Sequence, residues 1–309
     1  MLEPIHVEDV TRVVVKYDHI LVDEIREQFT MIYSDILYDI DDNVATITLN
    51  RPDRLNAWSR DMEGDVRRAM EVAGADEGVR AIIVTGAGRG FCAGADMSML
   101  SASSEEDSDS RREADRKRLH HEPVACQLEL PSDYNMRYTY FTATPKPVIA
   151  AINGPCAGLG FVMALFCDVR FVSEKAVFTT AFARRGLIAE HGIDWILPRV
   201  VGLPNALDLL LSARKIPAEE AFQMGLATKV LRHEELMDGV VAYAKELALM
   251  VSPRSMRVMK EQVYRTQGTS LSESVNRGFD EMYDSLDSDD FREGVAHFVE
   301  KRAPSFSGQ

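Results

Sequence analysis

Cysteine is scarce in this 309-residue chain, and its four residues, Cys92, Cys126, Cys156 and Cys167, form no C-x-x-C pair. That excludes a small disulfide framework or a cysteine-rich zinc module. The thiols sit mostly in apolar stretches and read as reduced core residues. No hydrophobic run is long enough to span a bilayer, and the longest, Cys156–Cys167, fits a buried helix. The N-terminal segment, MLEPIHVEDV, has no cationic stretch followed by an apolar one, so no secretory leader and a cytoplasmic location are expected. Positive charge is also in short supply. Lys and Arg number 35 against 49 Asp and Glu, a net charge of −14. This argues against nucleic acid or an anionic membrane as partner, and an anionic ligand would need a local basic patch. No G-x-S-x-G elbow appears, which argues against a serine hydrolase. His120-His121 beside Glu122 lacks metal-site spacing, so no metal is expected.

What is present is an ordinary globular composition, 46% hydrophobic and 27% charged, enough for one large or two modest domains. The chain is organised around Gly86–Leu100, GAGRGFCAGADMSML. It follows Ala81-Ile82-Ile83-Val84-Thr85, which reads as a fully buried strand. The dense small residues let backbone N–H groups approach a ligand closely. From Asp96 onward the sequence suits a helix, and a loop opening into a helix N-terminus favours negative charge. A dinucleotide fingerprint fails on spacing: Gly86 and Gly88 fit, but the third position is Phe91. A second stretch, Pro147–Arg170, repeats the plan, with a buried strand, a Gly/Pro turn and the small-residue helix start Ala157-Gly158-Leu159-Gly160. Two such helix starts brought together give two N–H donors for one oxygen, an oxyanion hole; losing one donor costs about 2.7–4 kcal/mol of barrier.

The motifs NRPDRLNAW (Asn50–Trp58), FCAGADM (Phe91–Met97), INGPCAGLGF (Ile152–Phe161) and the C-terminal FREGVAHFVEKRAPSF resemble the successive signatures of the crotonase superfamily, the enoyl-CoA hydratase/isomerase family. The resemblance runs from Ile36 to Phe306. It implies an α/β fold, a crotonase-like ββα superhelix core followed by a C-terminal helical oligomerisation region. The expected domains are an N-terminal extension (1–32), the core (33–203) and the helical region (204–309). Subunits of such proteins assemble as trimers or dimers of trimers.

The remaining pattern is compatible with this. Ile36–Asp41 and Val44–Leu49 read as a hairpin turning at Asp41-Asp42-Asn43. Trp58, Met62, Val66 and Met70 recur at helical spacing over Trp58–Val72. Within 1–32, Val13–Val15 suggests a strand and Leu21–Phe29 a helix. Residues 101–121, SASSEEDSDSRREADRKRLHH, read as a solvated loop and exposed helix, or as arginines reaching ligand phosphates. Beyond Pro204 the pattern is helical, interrupted by one strand at Ala227–Leu231.

By resemblance the ligand is an acyl-CoA, bound as substrate, with no further cofactor. The oxyanion donors are the amides of Ala95 and Leu159. The carbonyls around Arg54, Leu55 and Ala57, together with Ala93, Ala95, Asp96 and Met97, would hold adenine and pantetheine, and Lys301 matches a lysine that meets CoA phosphates. Lys301 also reads as a solvated helix-end charge. The two glutamates of ordinary hydratases are replaced, by Val162 and Phe182. Glu190 lies four residues after Gly186, where dienoyl isomerases and aromatic dehalogenases of the family carry a catalytic Asp. Glu190 is therefore the leading acid/base, with His191 and Asp194 as neighbours that could tune or replace it. The bland readings are a Glu190 salt bridge to Arg184 or Arg185, and Asp194 as a helix cap. The expected function is hydration or double-bond isomerisation of an acyl-CoA through a stabilised thioester enolate. Hydrolysis of a thioester or C–C bond, and CoA binding without catalysis, are the alternatives.

Overall fold

The structure is a computed structural model that describes residues 33–98, 108–119 and 127–309. The expectations for 1–32, for the helix beyond Ser98, and for His120, His121, Glu122 and Cys126 lie outside the described residues. Asp35–Gln309 forms one unit.

The hairpin is formed by β1 (Ile36–Asp41) and β2 (Val44–Leu49), paired antiparallel in register Asp41 to Val44. Asp42 and Asn43 take φ of 45° and 65°. A two-residue turn of this hand suits the strands' twist, and Asp and Asn tolerate it well. Helix α1 (Arg60–Ala75) begins two residues later than the apolar spacing suggests. Ser59 caps it, accepting from the Met62 amide at 3.0 Å, and Trp58 is drawn instead into a backbone bridge with Ala95.

Strand β3 (Ala81–Gly86) follows, then α2 (Ser108–Leu119), the short α3 (Tyr140–Ala143), β4 (Val148–Ile152) and β5 (Cys156–Ala157). Next come α4 (Leu159–Phe166), β6 (Val169–Ser173), β7 (Val177–Thr179), α5 (Ile193–Val201), α6 (Leu203–Ser212) and β8 (Ile216–Pro217). The chain ends with α7 (Ala218–Gln223), β9 (Lys229–Leu231), α8 (Leu236–Met250), α9 (Pro253–Arg265), α10 (Leu271–Leu286) and α11 (Asp289–Glu300). The main sheet has the order β1-β2-β3-β4-β6-β9, parallel after the first hairpin. A small sheet, β5-β7-β8, lies beside it.

Every residue of β3 and β4 is buried, as expected for parallel strands covered on both faces. One cover is α8, whose Val240, Ala244 and Ala248 join Ile83, Ile149 and Ala151 in a single cluster. Burial of such side chains stabilises by about 25 cal/mol per Å² of apolar surface removed from water. Helix α4 is buried on all sides, so it reads as apolar throughout. Because β3 and β4 are parallel neighbours, the loops that follow them leave the same edge of the sheet. Open parallel sheets bind ligands at that edge.

The expected cap role of Asp194 is not what forms: Gly192 (φ 77°) is the N-cap of α5, and Asp194 sits exposed in the first turn with no capping bond.

Candidate active site

The loops after β2, β3 and β4 are laced together by buried amides. Asn153 Nδ2 donates to the Gly86 and Gly88 carbonyls (2.8 and 2.9 Å), and Asn56 Nδ2 to those of Ala87 and Gly90 (3.0 and 2.8 Å). The backbone adds Phe91 and Cys92 amides donating to Pro155 O (both 3.1 Å) and the Ala157 amide to Cys92 O (2.9 Å). Gly94 takes φ of 99°, and a Cβ there would stand 3.1 Å from Ala157 O. Gly158, at φ 50°, faces it: a Cβ on Gly158 would lie 3.7 Å from the Gly94 Cα. Ala95 and Leu159 are the residues that follow these two glycines.

Around Ala95 the Trp58 amide donates to Gly94 O (2.8 Å) and the Asp96 amide to Trp58 O (3.0 Å). In a parallel bridge of this kind, the bonds use the groups flanking Ala95, so its own N–H faces away. Leu159 is the first residue of α4, where helix geometry supplies no acceptor. Among the described residues neither amide donates a hydrogen bond.

A line of aromatic contacts leads from this point to Glu190. The Trp58 ring meets Tyr138 edge-on at 6.1 Å, Tyr138 meets His191 at 4.6 Å, and His191 Nε2 is 3.6 Å from Glu190 Oε2. Burial raises the Glu190 carboxyl above its ordinary value. Burial, then the charge of Arg137, pushes His191 down to about 4, so its ring is neutral near pH 7. The Glu190–His191 contact thus joins a carboxyl to a neutral imidazole, at a distance too long for a hydrogen bond. Glu190 makes no ion pair with Arg184 or Arg185; those side chains donate to Ser212 O and Ala181 O. Phe182 and Val162 are buried and apolar.

Tyr138 also donates to Glu63 Oε2 (3.1 Å), and Arg137 grips both Glu63 oxygens at 2.6 and 2.7 Å. Burial acts to raise the Glu63 carboxyl, but the Arg137 hydrogen bonds and charge outweigh it, and its pKa is lowered. Glu63 is therefore held as an anion by Arg137, whereas burial alone acts on Glu190 and raises its pKa.

The residues expected to hold the CoA split into two groups. Arg54, Leu55, Ala57, Ala93, Asp96 and Met97 come together around one turn. There the Ala93 amide donates to Leu55 O (3.0 Å), the Ala57 amide to Arg54 O (3.1 Å), and Arg51 Nη1 to Ala57 O (2.6 Å). Each of those carbonyls already has one partner and keeps its second lone pair. Leu55 and Asn56 both take positive φ there, at 50° and 53°. Hydrogen bonds from the Ser98 amide and hydroxyl, then from Arg51 at 2.9 Å, hold Asp96 at about 2. Met97 is exposed. Lys301 stands apart, the exposed C-cap of α11 at φ 56°, with no ion pair among the described residues.

Sequence reading missed Asn153, Arg51, Glu63, Arg137 and Tyr138. Asn153 and Arg51 stand inside quoted motifs, where buried amides and a paired arginine were the available signal. Glu63 looks like an exposed helix residue, and Arg137 and Tyr138 lie in a stretch without periodicity.

Comparison with known proteins bears on this site. A family model described as enoyl-CoA hydratase/isomerase matches residues 39–126 and 114–309. The chain belongs to that family. It is 32% identical over 275 residues to the 1,2-epoxyphenylacetyl-CoA isomerase of Escherichia coli K12, covering 89% of this chain and 98% of that protein. It resembles the crystal structure of enoyl-CoA hydratase subunit I from Geobacillus kaustophilus HTA426 at TM-score 0.77 and 30% identity, over 90% of this chain and 99% of the other. An enoyl-CoA hydratase structure from Bacillus anthracis matches at TM-score 0.78 and 27% identity, over 89% and 100%.

Proposed function

We propose that the protein isomerises the double bond of an acyl-CoA thioester, with the Ala95 and Leu159 amides as oxyanion hole and Glu190 as the proton carrier. The observation that supports this reading is the apposition of Gly94 and Gly158, each followed by an amide that donates no hydrogen bond among the described residues. A thioester oxygen held there gains charge as the α-proton leaves, and fixed dipoles in a dry site stabilise that charge best. Glu190 removes a proton from the α-carbon of a β,γ-unsaturated thioester. The electron pair spreads onto the carbonyl oxygen, and Glu190 returns the proton at the γ-carbon. One carboxyl suffices for this round trip, and a raised pKa brings it closer to operating pH.

Hydration asks more, because water must be activated and the α-carbon protonated. The positions that carry glutamates in ordinary hydratases are Val162 and Phe182, and Glu63 is locked by Arg137. The name of the Escherichia coli relative is in keeping with isomerase chemistry. We further read the exposed apolar side chains of α9, α10 and α11 as a contact between subunits, in trimers or dimers of trimers.

The test is absorbance of the conjugated enoyl thioester, which rises when a β,γ-isomer is converted and falls on hydration, for wild type and Glu190→Gln. Wild type should isomerise, with deuterium placed on the α-carbon of the substrate carried to the γ-carbon. Glu190→Gln should lose at least about 100-fold in kcat while still binding CoA. Turnover that survives in Glu190→Gln overturns the role of Glu190. Tight CoA binding with no turnover of any enoyl-CoA moves the reading to a binding protein.

A further inference from the structure

Between α1 and α2 lies a cavity of about 270 Å³ that the proposed proton transfer does not use. Its lining is Arg60, Glu63, Gly64 and Arg67 from α1, Arg118 from α2, and Arg137. Four arginines and one carboxylate thus share a concavity in a chain whose net charge is −14. Two of the arginines are balanced: Arg137 by both oxygens of Glu63, and Arg67 by Glu71 at 2.8 Å. Arg60 and Arg118 make no ion pair among the described residues. Arg67 itself is turned inward, its guanidinium 5.0 Å over the Tyr140 ring with Nη1 buried. The two unpaired arginines leave the lining with excess positive charge, and an arginine fork matches a planar or tetrahedral oxyanion.

Gly64 is exposed at the cavity's rim, and a Cβ built on it meets no atom within 4 Å, so packing does not demand glycine at this helical position. At roughly 30 Å³ per water, the space holds an oxyanion and several waters. The wall is anchored, since the Arg137 amide donates to Leu119 O at 3.0 Å and Asp115 reaches Arg137 at 3.7 Å. The cavity adjoins the site through Glu63 and Arg137, which hold and flank Tyr138 between Trp58 and His191.

We propose that this cavity is an anion subsite that receives an oxyanion carried by the acyl-CoA, either a carboxylate at the far end of the acyl chain or a phosphate of the CoA. That the carrier is an acyl-CoA rests on the function proposed above; the anion site itself does not. Arg60 and Arg118 supply the charge, and Gly64 the room.

Calorimetric titration of the full chain tests it, with wild type, Arg60→Gln, Arg118→Gln and Gly64→Leu. The probes are hex-2-enoyl-CoA, the same chain ending in a carboxylate, 3′-dephospho-hex-2-enoyl-CoA, and inorganic pyrophosphate. Wild type should bind the carboxylate-ended thioester about tenfold or more tightly than the neutral one, and each variant should erase that ratio. If instead only removal of the 3′-phosphate weakens wild type, and the variants erase that difference, the subsite stands with phosphate as its occupant. Pyrophosphate should bind wild type and not the arginine variants even if no thioester binds, which separates this subsite from the acyl-CoA reading. Anion ratios and pyrophosphate affinity that all three variants leave unchanged overturn the proposal, provided each variant melts as wild type does.

Discussion

Two adjacent residues, Glu190 and His191, respond to burial in opposite electrical directions. His191 titrates near 6.5 when unperturbed and is pushed to about 4 in the fold. Above 6.5 the ring is neutral in both states and pH leaves its contribution unchanged. As pH falls from 6.5 toward 4, the unfolded chain takes up a proton that the native ring refuses, so stability is lost across that window. Glu190 has the reverse sign. Its raised pKa lets the native state hold a proton that the unfolded chain has released, so its burial penalty grows as pH rises above the ordinary carboxylate range. Denaturant melts between pH 4 and 8 should therefore show a shallower acid loss in His191→Gln than in wild type, and a steeper one in Glu190→Gln. An unchanged slope in both variants contradicts these environments. The composition of GLIAEHGID suggested a carboxylate here; it could not say that the carboxylate escapes Arg184 and Arg185.

At the scale of elements, the site depends on how closely the loop after β3 approaches the start of α4. Gly160 marks that approach: a Cβ there would stand 2.5 Å from Cys92 O and 2.6 Å from Cys92 Cβ. Neither the backbone oxygen nor the sheet-end cysteine can swing away, so Gly160→Ala must part the loop from the helix. Overpacking of this kind costs about 1–3 kcal/mol. The Leu159 amide is next in the chain, so kcat should fall with the melting temperature, and KM for CoA ligands should change less. A Gly160→Ala protein with wild-type melting temperature and kcat would show the approach to be unimportant. The elements themselves were legible, because hairpin, buried strands and amphipathic helices each follow from local periodicity and turn chemistry. Their pairing was not, since the Asn56 and Asn153 bridges join residues far apart in the chain.

For the whole molecule, the notable surface is apolar and helical. Leu271, Val275, Phe279, Phe298 and Val299 are between 57% and 81% exposed on α10 and α11. Large exposed apolar patches on proteins generally mark interaction sites. Helix α10 has no buried residue at all, although Ser270 and Glu273 cap it with a full capping box. Helices of this composition gain most of their stability from packing, so a partner surface is expected over it. Light scattering after gel filtration should give three or six times the chain mass, and Phe279→Glu should lower it. A monomer in the wild type removes the proposed subunit contact.

The sequence by itself determined the strand–loop–helix repeats, the small-residue loops at Gly86–Asp96 and Gly154–Gly160, and the family. All of these are local, set by residue type and spacing along the chain. Tertiary structure alone decided that Gly94 meets Gly158, that Tyr138 bridges Trp58 to His191, and that Arg137 lowers the pKa of Glu63 while burial raises that of Glu190. The same holds for the arginine cavity between α1 and α2, whose members lie far apart in the chain. These are long-range contacts, and their energies depend on burial and on charges brought together only when the sheet and its helices close.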